Sequence, residues 1–237
     1  MMGTDDKNAM SDTAMELKVS DVLSALKGGA RVLLMTRHAE RPHIDTEDPT
    51  FGEALPITPA GERMAFDFGA QFAEIARETD VQFYSSPLTR TRLTSAKIAE
   101  GMGVADRWNF ETIPCDTLIG NGSPYYADAR AVWQIFRGGG FYPLSFEYCA
   151  TGSQTGFRPL AKATDMLEDF VLSRFTAQLG IFTSHDLFIA AFLSGRGVKH
   201  DWTVPTWIHF LDSAAIFISP EGVRRYALVR NEPVKAS

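Results

Sequence analysis

The sequence predicts an α/β fold, a three-layer α/β/α sandwich with a mostly parallel central sheet and an aromatic-rich insert. Three short apolar runs, at residues 31–36, 81–85 and 180–184, have the length of buried strands. Each run passes through a polar turn into a helical pattern, and this alternation is typical of a parallel sheet covered by helices on both faces. Residues 206–218 and 223–230 form a predicted hairpin that adds antiparallel strands at the edge.

The helices are predicted from the spacing of apolar residues. Pro59 stands in the first turn of one pattern and Pro87 stands near the start of another, and proline suits both positions. Gly195 ends the last pattern. The predicted helices span residues 15–27, 59–78, 88–101, 163–178 and 186–194, and a short strand is expected near 111–115.

A single domain is expected over residues 15–237, preceded by a disordered N-terminus at 1–14. Within this domain, the segment at about 119–160 interrupts the regular pattern with aromatic residues and three successive glycines. The segment is either a lid with a leaving-group site or an ordinary hydrophobic mini-core. Its aromatic residues are Tyr125, Tyr126, Trp133, Phe136, Phe141, Tyr142, Phe146 and Tyr148.

Charged side chains follow the first strand directly, in the order Arg37-His38-Ala39-Glu40-Arg41. In open α/β sheets, ligands bind at the carboxyl ends of the strands. Two guanidiniums beside an imidazole suit a phosphate dianion, because guanidinium forks match phosphate oxygens and a neutral imidazole can attack phosphorus. A strand that runs out into a solvated, charged turn accounts for the same pentapeptide equally well.

Two later strand-to-helix junctions carry side chains of the same kind. His185 and Asp186 stand at the start of the last predicted helix, where free backbone N–H groups favour an anion. Asp186 also suits a plain helix cap. Arg90 lies in the first turn of the helix that begins near Pro87, whereas Arg92 faces away from it. We therefore expect the three junctions to contribute to one cationic pocket.

Together these motifs resemble the histidine phosphatase superfamily, which has an Arg-His-Gly signature, a later Ser-Pro block with an arginine, and a second histidine near the C-terminus. Arg37-His38, the block at 86–96 and His185 stand in these places, in this order. The likeness spans roughly residues 30–230 and implies the phosphoglycerate mutase-like fold.

Two other segments bear on the resemblance. Residues 55–62 look like the Leu-Thr-Pro-x-Gly helix start of the family. Ala39 departs from the family pattern, which has glycine at this position, and its methyl group narrows the approach to a phosphate.

Further features are similar to the acid phosphatase branch of the superfamily. Arg41 follows the first histidine closely, and the second histidine is followed by Asp186. The segment at 115–122, where phosphoglycerate mutase-like members carry a proton-donating Glu, has none. The resemblance therefore assigns the proton donor to Asp186 and disfavours a mutase.

The resemblance implies a mechanism in which His38 attacks phosphorus, Asp186 protonates the leaving alkoxide, and water releases phosphate from the phosphohistidine. Arginines supply the positive charge, so no metal or other cofactor is expected. The implied phosphate-binding residues are Arg37, Arg41, Arg90 and His185, and Arg37 and His185 also count among the catalytic residues. Further candidates for substrate contact are Glu40, His43 and Trp133.

The expected function is hydrolysis of a small organic phosphate monoester. A phosphatase acting on phosphohistidine or phosphoproteins, and a non-catalytic phosphate-binding protein that retains the fold, are the alternatives. The insert contains only Arg130, Arg137 and Arg158 as basic residues, so a highly anionic substrate such as an inositol polyphosphate is not expected.

Composition argues against several other classes. The net charge of −6 over 237 residues disfavours nucleic acid and anionic membranes as partners. No apolar run approaches the length of a membrane span. Cys115 and Cys149 are too few for a disulfide framework, and the acidic first 27 residues contain no signal-peptide core, so a cytoplasmic location is expected. The sequence leaves the oligomeric state open.

Overall fold

A mixed sheet forms the centre of the fold. The structure, a computed structural model, describes residues 16–45, 48, 50, 52–106, 113–119 and 122–232. Within these ranges the strands are Glu16–Lys18 (β1), Arg31–Arg37 (β2), Val81–Ser85 (β3), Ile113–Pro114 (β4), Leu179–Ser184 (β5), Ser213–Ile218 (β6) and Arg224–Arg230 (β7). The α-helices are Val19–Lys27 (α1), Pro59–Ala70 (α2), Thr89–Met102 (α3), Ala129–Ile135 (α4), Phe141–Thr151 (α5), Leu160–Arg174 (α6) and Asp186–Gly195 (α7).

The sheet has the strand order β1-β7-β6-β2-β5-β3-β4. The pairs β2–β5, β5–β3, β3–β4 and β1–β7 are parallel, whereas β6 pairs antiparallel with both β2 and β7. This arrangement confirms the mostly parallel sheet with an antiparallel hairpin. It also places β2, β5 and β3 side by side, so their carboxyl ends lie next to one another.

Two hydrophobic cores, one on each face of the sheet, confirm the three-layer arrangement. Alternate residues of β2 point to opposite faces, as a strand requires. Leu33 and Met35 pack with residues of α5, α6 and α7, whereas Val32 and Leu34 pack with residues of α1, α2 and α3. On the second face, α2 and α3 approach closely: a Cβ at Gly69 would overlap the carbonyl oxygen of Ile98.

Some element boundaries differ from the predicted ones. Residues 16–18 lie in β1 rather than in a helix, because they pair with β7 and supply partners for backbone groups of that strand. The helix predicted over 59–78 ends at Ala70, and a short 3₁₀ turn follows at Ile75–Arg77. The predicted disordered segment at 1–14 lies outside the described residues. Among the residues that are described, no helix is both long and apolar enough to cross a membrane.

The aromatic-rich insert contains α4 and α5. The two helices are joined at 136–140, where Gly139 has a φ of 83° that favours glycine. Tyr125 and Tyr148 are fully buried and belong to the core on this face of the sheet. Other aromatic side chains of the insert line a cavity, so the segment contributes both to the core and to a cavity wall. Whether it moves as a lid stays a prediction.

Candidate active site

The three predicted junctions meet at one edge of the sheet. His38 follows β2, Ser86 follows β3 and His185 follows β5. Backbone hydrogen bonds continue the strand pairing into these residues, because His38 N donates to Ser184 O at 3.1 Å and Ser86 N donates to Thr183 O at 2.9 Å. The centroids of the His38 and His185 rings lie 5.4 Å apart. Two imidazoles separated by 147 positions in the chain are therefore brought into contact.

The His38 ring is buried, with 3% of its surface exposed. Its Nδ1 lies 2.8 Å from the carbonyl oxygen of Ala39, and a carbonyl can only accept, so Nδ1 carries the proton. Nε2 of the neutral ring then has a free lone pair. Burial, followed by the charges of Arg90 and Arg37, holds the pKa of His38 well below its usual value. The neutral ring is the form that can act as a nucleophile.

His185 is the N-cap residue of α7 and is 7% exposed. Its Nε2 is hydrogen-bonded to Ser86 Oγ at 2.9 Å, and Ser86 Oγ is in turn 2.8 Å from Thr91 Oγ1. This chain of hydroxyl groups fixes the orientation of the ring. Burial is the main cause that holds the pKa of His185 well below its usual value, and the charge of Arg90 comes next.

Three arginines surround the histidine pair. Arg90, in the first turn of α3, donates from Nη1 to the carbonyl oxygen of Gly52 at 2.7 Å, and Arg41 donates to the carbonyl oxygen of Pro42 at 2.7 Å. Burial, together with the nearby charge of Arg41, lowers the pKa of Arg90 to about 10, so it remains charged at neutral pH. Among the described residues, the buried Nε atoms of Arg37, Arg41 and Arg90 have no hydrogen-bond partner. Buried donors without partners are rare in proteins, and they suit an anion-binding pocket.

Asp186 lies at the start of α7 and is held by several donors. Its Oδ1 accepts from Leu187 N at 2.9 Å, and its Oδ2 accepts from Trp207 Nε1 at 3.1 Å. Arg37 Nη2 is also 3.1 Å from Oδ2. Arg37 in turn packs against the ring of Phe210, with 4.5 Å between its Cζ and the ring centroid. The carboxylate thus accepts from an N–H in the first turn of α7 and is also part of the cationic cluster.

The loop after His38 is held against the start of α2. Ala39 is fully buried, and its N–H donates to Thr94 Oγ1 at 3.0 Å. Thr58 donates from its backbone N to Glu40 O at 2.9 Å and from Oγ1 to Glu40 Oε1 at 2.8 Å. A Cβ at Gly61 would overlap this same carbonyl oxygen of Glu40. The Glu40 carboxylate therefore stabilises the loop, and Glu40 is not among the residues that line the cavity.

A cavity of about 370 Å³ opens above the histidine pair. Its polar part comprises Arg37, His38, Arg41, His43, Arg90, His185 and Asp186. Its aromatic part comprises Tyr126, Trp133, Phe136, Phe141, Tyr142 and Phe188, and Ile44, Ile119 and Leu187 complete the lining. Apart from Glu40, every sequence-predicted site residue therefore contributes to this one cavity.

Several residues of the site were not identified from the sequence. Trp207 and Phe210 lie between α7 and β6, and their contacts with Asp186 and Arg37 bridge distant parts of the chain. Thr94 and Ser86 belong to the block at 86–96 that the sequence analysis identified. The local sequence does not predict their hydrogen bonds to Ala39 N and His185 Nε2. Within the ranges that the structure describes, no group of three or more His, Cys, Asp or Glu residues is arranged to hold a metal ion.

Part of the chain matches a protein-family model. Residues 33–111 match the family model of the histidine phosphatase superfamily, branch 1. The match supports this superfamily for the chain. It includes His38 and Arg90 and ends before His185. No curated protein matches this chain.

Two solved structures show the same fold. A phosphoglycerate mutase from Bacillus anthracis str. Sterne has a TM-score of 0.52 at 12% identity, over 84% of this chain and 92% of that one. A phosphoserine phosphatase from Entamoeba histolytica, in complex with 3-phosphoglyceric acid, has a TM-score of 0.50 at 16% identity, over 85% of this chain and 98% of that one. At such identities the likeness concerns the fold alone.

The match to branch 1 of the histidine phosphatase superfamily corrects one expectation. Arg41 and the pair His185-Asp186 suggested the acid phosphatase branch, and that assignment is wrong. The physical reason is that these features are short and also fill structural roles that are common to many folds. Asp186 accepts from Leu187 N in the first turn of α7, which is a role that a carboxylate can fill near the start of any helix.

Proposed function

We propose that this protein is a metal-independent phosphomonoesterase that hydrolyses a small organic phosphate through a phosphohistidine at His38. The observation that carries the proposal is the contact between His38 and His185, with 5.4 Å between their ring centroids, at the base of a cavity lined by three arginines. The hydrogen bond from Nδ1 to Ala39 O leaves Nε2 of His38 available for attack.

In the first step, His38 Nε2 bonds to phosphorus and the bond between phosphorus and the ester oxygen breaks. Asp186 gives a proton to the departing oxygen, which leaves as an alcohol. In the second step, water attacks phosphorus and loses a proton to Asp186. The bond between phosphorus and Nε2 breaks, which releases inorganic phosphate and restores the neutral ring. Asp186 lines the cavity and is held by Trp207 and Arg37, so its position suits both transfers.

The remaining polar groups stabilise the charge of the transferring phosphoryl group. Arg37, Arg41 and Arg90 bring guanidinium donors, and His185 also lines the cavity. Because phosphoryl transfer spreads negative charge over the equatorial oxygens, donors fixed in place before the reaction lower its barrier. The positive charge of the arginines takes the role that a metal ion fills in other phosphatases.

A small substrate is favoured over a protein partner because the site is concave. The cavity of about 370 Å³ is within the range of small-molecule sites, and aromatic side chains form much of its lining. A phosphatase for phosphohistidine or phosphoproteins would need the cationic residues to meet a broad protein surface.

A cytoplasmic location and a single domain with an insert remain predictions from the sequence.

The test compares wild-type protein with His38→Ala on phosphate monoesters in the presence of EDTA. The wild type should release phosphate, and brief exposure to labelled substrate should leave an acid-labile, alkali-stable phosphate on His38. His38→Ala should lose both properties, with kcat lower by at least about 10³-fold, because the nucleophile is removed. His209→Ala, at an exposed ring, is the matched control and should keep both.

Equal turnover in the wild type and His38→Ala would refute the proposal. Binding of inorganic phosphate by the wild type without turnover of any ester would instead support the non-catalytic alternative.

A further inference from the structure

The aromatic part of the cavity is one continuous wall. Ring centroids are 5.6 Å apart between Phe188 and Tyr126, 6.4 Å between Tyr126 and Trp133, and 5.8 Å between Trp133 and Phe136. The wall continues through Phe141 to Tyr142, with spacings of 5.0 Å and 5.2 Å. Aromatic pairs at these spacings stabilise one another, so the wall has a defined shape before a ligand binds.

The two ends of the wall contact the proposed active site, one beside His185 and the other through Trp207 beside Asp186. At one end, the Phe188 ring lies 6.2 Å from the His185 ring. At the other end, Tyr142 lies 6.1 Å from Trp207, whose Nε1 donates to Asp186. The wall therefore starts beside the phosphate site and returns beside the group that protonates the leaving oxygen. A substrate whose phosphorus is next to His38 must direct its organic part along these rings.

The charges that line the cavity suit a phosphate group. Three guanidiniums outnumber the single carboxyl group among the described lining residues, so the site is cationic and favours one anionic phosphate. Apart from His43 and the polar ends of Tyr126, Trp133 and Tyr142, the remaining lining is aromatic or aliphatic, and polar groups are costly to bury against it without partners. An organic part that is neutral and flat fits these surroundings.

Resting on the proposed function, the geometry points to a substrate class: a small phosphate monoester whose alcohol carries a neutral aromatic ring, bound between the rings of the insert. Trp133 and Tyr142 are the residues that distinguish this class. Trp133 is partly buried in the wall, whereas the Tyr142 side chain is 40% exposed and stands at the mouth of the cavity. An aromatic ring gains stacking and edge-to-face contacts there that a glycerol group cannot make.

The test uses benzyl phosphate, cyclohexylmethyl phosphate and glycerol 3-phosphate, which all release primary alcohols. Wild-type kcat/KM should decrease in that order, with benzyl phosphate at least about tenfold above glycerol 3-phosphate. Trp133→Ala and Tyr142→Ala should each raise KM for benzyl phosphate about fivefold or more, and by a clearly larger factor than KM for glycerol 3-phosphate. Phe66→Ala, which removes an exposed aromatic ring outside the cavity, is the matched control and should change KM for neither substrate.

Equal use of benzyl phosphate and glycerol 3-phosphate, or an equal loss for both in the two wall variants, would overturn the inference and leave the proposed function intact. If no ester is turned over, the proposed function fails. The inference about the aromatic wall is then tested by the binding of two phosphonates that cannot be hydrolysed. Calorimetry should then show that benzylphosphonate binds more tightly than methylphosphonate, and that Trp133→Ala and Tyr142→Ala abolish the difference. Equal binding of the two phosphonates by wild-type protein would contradict the inference.

Discussion

The indole Nε1 of Trp207 donates a hydrogen bond to Asp186 Oδ2 at 3.1 Å, across 21 positions of the chain. Arg37 Nη2 lies at the same distance from the same oxygen. Because Trp207 is 2% exposed and its ring also contacts Phe141, Tyr142 and Phe146, the indole cannot move independently of the insert. Trp207 thus connects the proposed proton donor to the aromatic wall.

Trp207→Phe should slow reactions that need a proton on the leaving group. The variant keeps a six-membered aromatic ring but loses the indole N–H, so Asp186 is held less firmly. We expect kcat to decrease about tenfold with benzyl phosphate and less than threefold with 4-nitrophenyl phosphate, whose leaving group needs no proton. Asp186→Asn should make the difference between the two substrates larger, with a decrease in kcat for benzyl phosphate of about 10²-fold or more, because the acid itself is removed.

The control for this comparison is Trp202→Phe. Trp202 is also buried and packs against Trp207, with 5.6 Å between their ring centroids, but its Nε1 donates to Ser194 Oγ at 2.9 Å and it does not line the cavity. It should lower stability without changing the ratio of the two kcat values. A ratio that changes equally in Trp202→Phe and Trp207→Phe would contradict a positioning role for Trp207.

Arg90→Lys should weaken phosphate binding even though the charge is kept. A lysine lacks the planar fork that lets one guanidinium hold Gly52 O and present further donors to phosphate oxygens in a fixed geometry. We expect the inhibition constant of inorganic phosphate to increase about tenfold or more. The control is Arg92→Lys, at an exposed position two residues further along α3. It should change the inhibition constant of inorganic phosphate less than twofold. Similar constants for Arg90→Lys and wild type would exclude Arg90 from the phosphate site.

The free energy of unfolding should decrease as the pH falls below about 6.5, the usual value for an unfolded-chain histidine. Burial is the main cause that lowers the pKa values of His38 and His185 in the folded state. Below pH 6.5 the unfolded chain therefore binds protons that the folded protein does not, whereas above it this contribution to stability is fully present. Each histidine adds a slope of at most about 1.4 kcal/mol per pH unit.

Urea unfolding at pH 7.5 and 5.5 measures this effect. His185→Gln should reduce the pH dependence relative to the wild type, because one buried ring is removed. An unchanged pH dependence in His185→Gln would show that this ring takes up its proton as readily in the folded state as in the unfolded chain.

Gly61→Ala should reduce both stability and activity. The added methyl group would overlap Glu40 O and push the loop that carries His38 away from α2. We expect a loss of about 1–3 kcal/mol in the free energy of unfolding, which is typical of overpacking, together with a lower kcat. Gly138→Ala, where a Cβ meets nothing within 4 Å, should change neither. Wild-type stability in Gly61→Ala would mean that the loop does not require this close contact.

The sequence determined which side chains reach the carboxyl edge of the sheet. A strand that passes into a helix through a short turn fixes locally where the turn residues stand, so His38, Arg90 and His185 could be placed at junctions from the pattern alone. The strands at 31–37, 81–85 and 179–184 are close to the predicted ones for the same reason. Local apolar runs and turn residues carry this information.

Only the tertiary structure decided the arrangement between those junctions. The position of β5 between β2 and β3, which brings the two imidazoles together, depends on pairings between distant strands. The hydrogen bond from Trp207 to Asp186 and the assignment of the Glu40 carboxylate to Thr58 are likewise contacts between distant residues. Hydrophobic periodicity indicates which face of an element is buried but not which element packs against it. For that reason the sequence alone could not predict the aromatic wall.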